Sequence, residues 1–94
     1  MIKLIRIYHY PRSDDHYVVK RLFGFEKFNN GISFFFEDQT GKNHMINTAD
    51  TEKTETKLYI NGVFYTNNDI KYEFDKISAL ITQDVNLTAI ESLP

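Results

Sequence analysis

The chain has 94 residues, a formal net charge of −2 and no cysteine. A chain of this length is expected to form one domain over residues 1–94, and its folding buries only about 60 to 65% of the surface that the unfolded chain exposes. Because disulfide bonds and thiolate metal sites are excluded, we expect aromatic side chains to supply much of the stability of the core.

Charge and hydropathy argue against three further classes of protein. No stretch approaches the roughly 18 apolar residues of a membrane span. Lys3 and Arg6 interrupt the apolar run at the N-terminus, unlike the core of a signal peptide. The acidic net charge argues against a strongly basic nucleic-acid binder. We therefore expect a cytoplasmic protein, in keeping with the lack of cysteine.

Residues 2–10 are the first predicted strand. Their apolar positions change phase midway, which indicates a strand that is covered on both sides or bent by a bulge. These positions are Ile2, Leu4, Ile5 and Ile7. Pro11 ends the strand, and residues 11–16 are a predicted polar turn, because Ser and Asp side chains compete with strand pairing for local backbone groups.

The most informative segment is residues 23–36, which contain six of the eight phenylalanines. Asn30 and Gly31 readily take the positive φ angles of a tight turn, and the runs on either side favour strands, so the segment predicts a β-hairpin. The strand before the turn spans residues 17–28. It is expected to bend at Gly24, since a glycine inside a strand often marks a bulge.

Alternation along this hairpin assigns its side chains to two faces. One face is expected to be core and consists of Phe23, Phe25, Ile32, Phe34 and Phe36. The other face mixes apolar and polar side chains and consists of Leu22, Glu26, Phe28, Ser33, Phe35 and Glu37. This second face is too apolar for a solvated surface and too polar for a full core, which is typical of a mixed contact patch.

A fourth strand is predicted at residues 42–47, and its register is ambiguous. Pairing of Asp38 with Lys42 turns Ile46 inward, and we favour this register. A slip of one residue would turn Met45 inward instead.

A second tight hairpin follows residues 48–56, which are predicted to be a polar, exposed loop running into a solvated strand end. The hairpin spans residues 57–65 and turns at Asn61 and Gly62. The turn places three pairs of residues opposite each other. These pairs are Ile60 with Val63, Tyr59 with Phe64, and Leu58 with Tyr65.

Beyond this hairpin the apolar period changes to that of a helix. One amphipathic stripe consists of Ile70, Phe74, Ile77 and Ile81. Thr66 or Asn68 can cap the start of the helix, and Asp69 suits its positive end. Residues 84–94 are expected to add a short turn or a second small helix, packed by Val85, Leu87, Ile90 and Leu93.

The predicted fold class is therefore α+β. We expect a five- to six-stranded antiparallel sheet of consecutive hairpins, open or partly closed into a barrel, followed by one C-terminal amphipathic helix. The helix is expected to lie over one face of the sheet or over one end of the barrel. Many binding modules have such a shape.

The sequence predicts no enzyme and no cofactor. Cysteine is absent, and no serine has the glycine context of a nucleophile elbow. The four glycines form no phosphate-binding loop. Adjacent carboxylates at residues 14–15 and 37–38 are of the kind that is usually solvated in turns.

A metal site is conceivable only from His9, His16 and one of the aspartates beside His16, Asp14 or Asp15. The spacing of these residues matches no known zinc or iron pattern. A polar turn explains the two aspartates without a metal, so we predict no metal site.

Binding of single-stranded nucleic acid is an alternative function. Basic and aromatic side chains interleave in the first two predicted strands, and single strands are commonly held by stacking on aromatic rings beside a basic track. The residues concerned are Arg6, Tyr8, Tyr10, Arg12, Tyr17, Lys20 and Arg21. Against this function, Asp14 and Asp15 lie in the same segment and the whole chain is acidic.

The function that the sequence favours is protein binding by the mixed face of the aromatic hairpin. The predicted partner-binding residues are Leu22, Glu26, Phe28, Phe35 and Glu37. We expect a protein partner or a second copy of the chain, and neither a membrane nor a small-molecule cofactor. The abundance of residues with AT-rich codons is typical of a low-GC bacterium or its phage. It suggests a phage or mobile-element accessory protein that binds and inhibits a host enzyme or defence protein.

A structural alternative to this contact patch is a curled sheet. In that arrangement Phe28 and Phe35 would pack against the tail of the chain or against the first strand, and they would contribute to the core instead of to a binding surface.

Overall fold

The computed structural model describes the backbone of residues 1–91 and the side chains of residues 1–85. Six strands precede two helices, with these bounds: β1 Ile2–His9, β2 Arg12–Phe28, β3 Gly31–Asp38, β4 Asn43–Asn47, β5 Thr54–Ile60, β6 Val63–Tyr65, α1 Asn67–Tyr72 and α2 Phe74–Glu91. All neighbouring strands are antiparallel, in the order β4-β3-β2-β1-β5-β6. The predicted α+β class is confirmed, and the sheet is open.

Strand β2 is 17 residues long and joins the two halves of the sheet. Its first half pairs with β1 and its second half with β3. The predicted polar turn at residues 11–16 is wrong, because the turn contains only Tyr10 and Pro11 and residues 12–16 already pair with β1. Pairing with β1 satisfies the backbone hydrogen-bonding groups of these polar residues, and their side chains stay exposed. The strand conformation therefore buries no unpaired polar group.

The pairing of β2 with β3 shifts register twice, between Val19 and Arg21 and again between Leu22 and Gly24. The second shift inserts Phe23 as an extra residue and breaks the alternation of faces. Leu22 therefore lies opposite the buried Phe36 and packs against the core, whereas Phe23 is 51% exposed. The expected faces of these two residues are wrong for this reason.

The turn between β2 and β3 contains Asn29 and Asn30, one residue earlier than predicted. Asn29 has the positive φ angle, 56°, while Gly31 pairs with Phe28 as the first residue of β3. Gly31 is needed for space: a Cβ atom there would lie 2.6 Å from the Ala49 backbone nitrogen and 2.7 Å from Thr48 Oγ1.

The favoured register of the fourth strand is confirmed. The Asp38 backbone N–H donates a hydrogen bond to the Lys42 carbonyl oxygen over 2.8 Å, and Phe34 lies opposite Ile46. Ile46 is consequently buried, and Met45 is exposed on the opposite face.

The second hairpin is confirmed in turn and register. Asn61 and Gly62 have φ angles of 52° and 81°, as a tight two-residue turn requires. The three predicted pairs face each other: Leu58 with Tyr65, Tyr59 with Phe64, and Ile60 with Val63.

The predicted helical stripe forms two consecutive helices, since α1 ends before Glu73 and α2 begins after it. Thr66 caps α1: its hydroxyl accepts a hydrogen bond from the Asp69 backbone, and the Asp69 carboxylate accepts one from the Thr66 backbone. Helix α2 continues to Glu91, and the expected packing of Leu87, Ile90 and Leu93 lies outside the described side chains. Within the described residues, neither helix has the length and apolarity that a membrane crossing requires.

The core lies between the helices and one face of the sheet, which we call the inner face. Its buried side chains are Ile2, Leu4, Ile32, Phe34, Phe36, Ile46, Leu58 and Ile60 from the strands and Ile70, Ile77 and Ile81 from the helices. Phe25 stacks on Phe34 with ring centroids 6.4 Å apart. The opposite side of the sheet, which carries the alternate strand residues, is the outer face.

Candidate functional site

Four large apolar side chains are distributed along the outer side of β2, β3 and β4, with Phe28 four positions along β2 from Gly24, the partner of Phe35. We call this group the outer patch. It consists of Phe23, Phe28, Phe35 and Met45. Phe23, Phe28 and Met45 are 51%, 56% and 70% exposed, and Phe35 is partly buried. Isolated exposed apolar residues are normal on proteins, whereas a group of four on one sheet face is a candidate contact surface.

Phe35 lies at the centre of the outer patch because of its neighbours across the strands. Met45 is its partner on β4, and Gly24 is its partner on β2. A Cβ atom at Gly24 would meet nothing within 4 Å, so the space on that side of Phe35 is open. Across the three strands, the Phe35 ring thus lies between an open space at Gly24 and the flexible side chain of Met45.

Polar side chains border the outer patch and connect its strands. The Asn47 carboxamide donates hydrogen bonds to Ser33 Oγ over 2.9 Å and to the Phe28 carbonyl oxygen over 3.2 Å. The Arg21 guanidinium carbon lies 5.0 Å from the centre of the Phe23 ring. Aromatic residues, methionine and arginine with a polar rim are the composition typical of protein interfaces.

The structure brings together four of the five predicted partner-binding residues. Glu26, Phe28, Phe35 and Glu37 all lie on the outer face, as their pairing with β3 or their position in it shows. Leu22 lies on the inner face, for the reason given above. Sequence reasoning missed Met45, although the favoured register, with Ile46 inward, already turned Met45 outward. It also missed Phe23: the expected irregularity at Gly24 is confirmed by the register shift between Leu22 and Gly24, but the glycine did not indicate that Phe23 is the inserted residue.

A hollow of about 500 Å³ extends the outer face beyond the outer patch, over β1 and β5. Its walls include Lys3, Ile5, His16 and Tyr59. The Tyr59 ring lies 5.4 Å from that of Phe64, which is itself exposed. The outer face therefore offers a concave region as well as the outer patch.

A second polar and aromatic cluster lies at the end of the inner face, where β3 turns into β4. His44 Nε2 lies 2.6 Å from Asp38 Oδ2, and Asp38 Oδ1 accepts hydrogen bonds from the Thr40 hydroxyl and from the Thr40 and Lys42 backbone. The Thr40 hydroxyl first, and then the His44 ring, hold the pKa of Asp38 well below its usual value.

The His44 ring is packed and not free to meet a substrate. It lies 4.8 Å from the Tyr17 ring and 5.2 Å from the Phe36 ring, and its side chain is only 14% exposed. Burial, followed by the charge of Asp15, raises the pKa of Tyr17. This arrangement anchors the turn between β3 and β4.

The residues of the nucleic-acid alternative are divided between the two faces. Register places Arg6, Tyr8 and Tyr17 on the inner side of the sheet and Arg12 and Arg21 on the outer side. Tyr10 lies in the turn before β2, and Lys20 lies at a register shift. Tyr17 also packs edge-on against Phe36, so the set does not form one stacking surface.

No cluster of three or more potential metal-ligating side chains occurs among the residues that the structure describes. His9 Nε2 lies 3.9 Å from the Glu55 carboxylate, and both side chains are partly exposed. His16 lines the hollow of the outer face instead.

Neither a protein-family model, nor a curated protein, nor a solved structure matches this chain. We therefore base the proposed function on the surfaces of the chain.

Proposed function

We propose that this chain is a small non-enzymatic protein-interaction module that docks the outer patch onto a partner protein. One observation carries the proposal: two phenylalanines and a methionine are more than half exposed on one sheet face, while the helices cover the other face. Nothing within the described part of the chain covers these side chains, so a partner is the natural source of their burial.

Burial of the outer patch would favour docking. Full burial of a phenylalanine or methionine side chain contributes about 1.5 to 3 kcal/mol relative to exposure. A stable complex buries about 800 Å² on each partner. The molecule has extents of 46, 31 and 21 Å, so its broad sides are large enough to supply this area together with the polar border.

The side chains of the outer face indicate which groups a partner must offer. An apolar cleft would receive Phe28, which lies next to the turn and is the most exposed phenylalanine of the outer patch. Hydrogen-bonding groups beside that cleft would meet Glu26, which lies two residues from Phe28 on the same face of β2. Together with the abundance of residues whose codons are AT-rich, this favours an accessory protein of a phage or mobile element that occupies, and thereby inhibits, a host enzyme or defence protein.

The proposal is tested by capture of a partner from host lysate with tagged wild-type protein and two variants, followed by mass spectrometry. Phe28→Ser removes the exposed ring of the outer patch. Tyr72→Ser is the matched control, because Tyr72 is 74% exposed on α1. We expect the wild type and Tyr72→Ser to retain one protein that survives nuclease treatment and that Phe28→Ser loses.

Two outcomes would contradict the proposal. If Phe28→Ser retains the same proteins as the wild type, the outer patch is not the binding surface. If every captured protein disappears after nuclease treatment, the alternative of single-stranded nucleic-acid binding becomes the better one. It would then be examined by a mobility shift at low and high salt.

A further inference from the structure

We propose that β4 is a pairing edge, at which two copies of this chain join antiparallel into one continuous sheet. The contact uses the backbone of β4, whereas the proposed docking of a partner uses the side chains of the outer patch. The two proposals are therefore independent.

The two edge strands of the sheet, β4 and β6, differ in how well they are protected against pairing with another strand. Strand β6 has three residues and runs through Thr66 directly into α1. Strand β4 has five residues, Asn-His-Met-Ile-Asn, with no lysine, acidic residue or proline. Among the described elements, only β3 makes substantial contact with it. Natural sheets usually protect an edge with charges, proline, a bulge or a covering element, and β4 has none of these.

The backbone of β4 offers hydrogen-bonding groups on its free side. The Asp38 N–H donates a hydrogen bond to the Lys42 carbonyl oxygen, and the Thr48 N–H donates one to the Ile32 carbonyl oxygen. The backbone groups of residues 42 and 48 therefore point toward β3. Along an antiparallel strand, the side to which the N–H and C=O groups point alternates from one residue to the next. The N–H and C=O groups of Asn43, Met45 and Asn47 therefore point away from the sheet.

These outward groups are self-complementary. When two β4 strands pair about a twofold axis at Met45, Asn43 of each copy faces Asn47 of the other, and the two Met45 residues face each other. Each of these three pairs has both N–H groups directed at the opposite carbonyl, which gives a ladder of about six hydrogen bonds. No charged residue faces another in this register, since Lys42 faces Thr48 of the second copy.

The pairing would also extend the outer patch. Residues 43, 45 and 47 lie on the outer face, so the two Met45 side chains would lie side by side with Phe35 behind each of them. A dimer would therefore carry one apolar surface that spans both copies, in keeping with the isologous symmetry of most homodimers.

The first test is sedimentation velocity on the wild type and two variants. The wild type should sediment at twice the 11.1 kDa of one chain. Met45→Pro should reduce this mass by half, because proline removes an N–H that points away from β3 and is tolerated at such an edge position. Met45→Ala keeps the N–H and should remain dimeric. A monomeric wild type, or a dimeric Met45→Pro variant, would overturn the proposal.

A second test does not depend on the folding of the proline variant. The chain has no cysteine, so Met45→Cys contains a single thiol. Opposed residues of a hydrogen-bonded pair have Cα atoms about 5.5 Å apart, within the about 4.4 to 6.8 Å of a disulfide. Mild oxidation should link Met45→Cys into a covalent dimer that a reductant reverses. Tyr72→Cys, at the exposed Tyr72 of α1, should form no covalent dimer, and equal crosslinking of both variants would reject the predicted register.

Discussion

The two faces of β3 show that aromatic content alone does not determine the role of a strand. Its inner face presents Ile32, Phe34 and Phe36, all fully buried. Its outer face presents Ser33, Phe35 and Glu37, of which Phe35 is only partly buried. Phe34 and Phe35 are identical neighbours in sequence, and they differ only in what lies above them.

The cover of each face explains this difference. Helices α1 and α2 place Ile70, Ile77 and Ile81 against the inner face. On the outer face the neighbour of Phe35 on β2 is Gly24, which has no side chain to cover it. The comparison predicts that equal substitutions on the two faces will have unequal effects on the free energy of unfolding.

Phe34→Ala and Phe35→Ala form the sharpest test of this comparison. Phe34 is fully buried and stacks on Phe25, so its truncation should lower the free energy of unfolding by about 3 to 5 kcal/mol. Phe35→Ala should lower it by about 1 kcal/mol or less, because a partly exposed ring loses less contact on truncation. Urea denaturation followed by circular dichroism measures both values. Equal losses would show that the outer face is closed and structural.

Two glycines of the outer face provide a steric version of the same test. In Gly31→Ala the new Cβ atom would lie under 3 Å from Ala49 N, Thr48 Oγ1 and Asn47 Oδ1, so overpacking should cost about 1 to 3 kcal/mol. Gly24→Ala meets nothing within 4 Å and should change stability by no more than about 0.5 kcal/mol. Thermal melts of the two variants measure the contrast. A harmless Gly31→Ala would mean that the segment after β4 moves aside readily.

The cluster at the end of the inner face predicts a dependence of stability on acid. Hydrogen bonds from Thr40 and His44 lower the pKa of Asp38 in the folded state below its ordinary value of 3.8. This carboxylate therefore stabilises the fold above the ordinary value, and the stabilisation is lost as the pH falls through the lowered pKa. Urea midpoints measured from pH 6 downward should fall less steeply for Asp38→Asn than for the wild type.

The matched control for this prediction is Asp14→Asn, since Asp14 is an exposed carboxylate on β2. Its urea midpoints should follow those of the wild type at every pH. If Asp38→Asn has the same acid dependence as the wild type, the hydrogen bonds of Asp38 do not contribute to stability.

Features of the fold that depend on neighbouring residues were predictable from the sequence. The turn at Asn61 and Gly62 fixes its own register, because it needs only two residues with positive φ angles. The helical stripe from Ile70 to Ile81 was predictable because its period appears in the sequence itself. The break at Glu73 was not predicted.

Features that depend on distant parts of the chain were not predictable. Residues 12–16 read as a turn, but β1 offers them a partner, and pairing outweighs their local preference. The bulge at Phe23 reverses the expected faces of Leu22 and Phe23, since one inserted residue puts the strand positions before it out of phase with those after it. The candidate site shows the same limit: Phe28 and Phe35 follow from alternation after the bulge, whereas Leu22, before it, does not.

The smallest expected effect on stability belongs to Phe28→Ser, and it determines how the binding experiment is read. Phe28 is 56% exposed next to the turn, and it lies opposite Gly31, which has no side chain to contact it. Its replacement should change the free energy of unfolding by no more than about 0.5 kcal/mol, the usual range for surface positions. Urea denaturation measures this directly. Native stability together with lost partner capture would assign the exposed ring to binding, whereas a loss of about 2 kcal/mol or more would make Phe28 a structural residue.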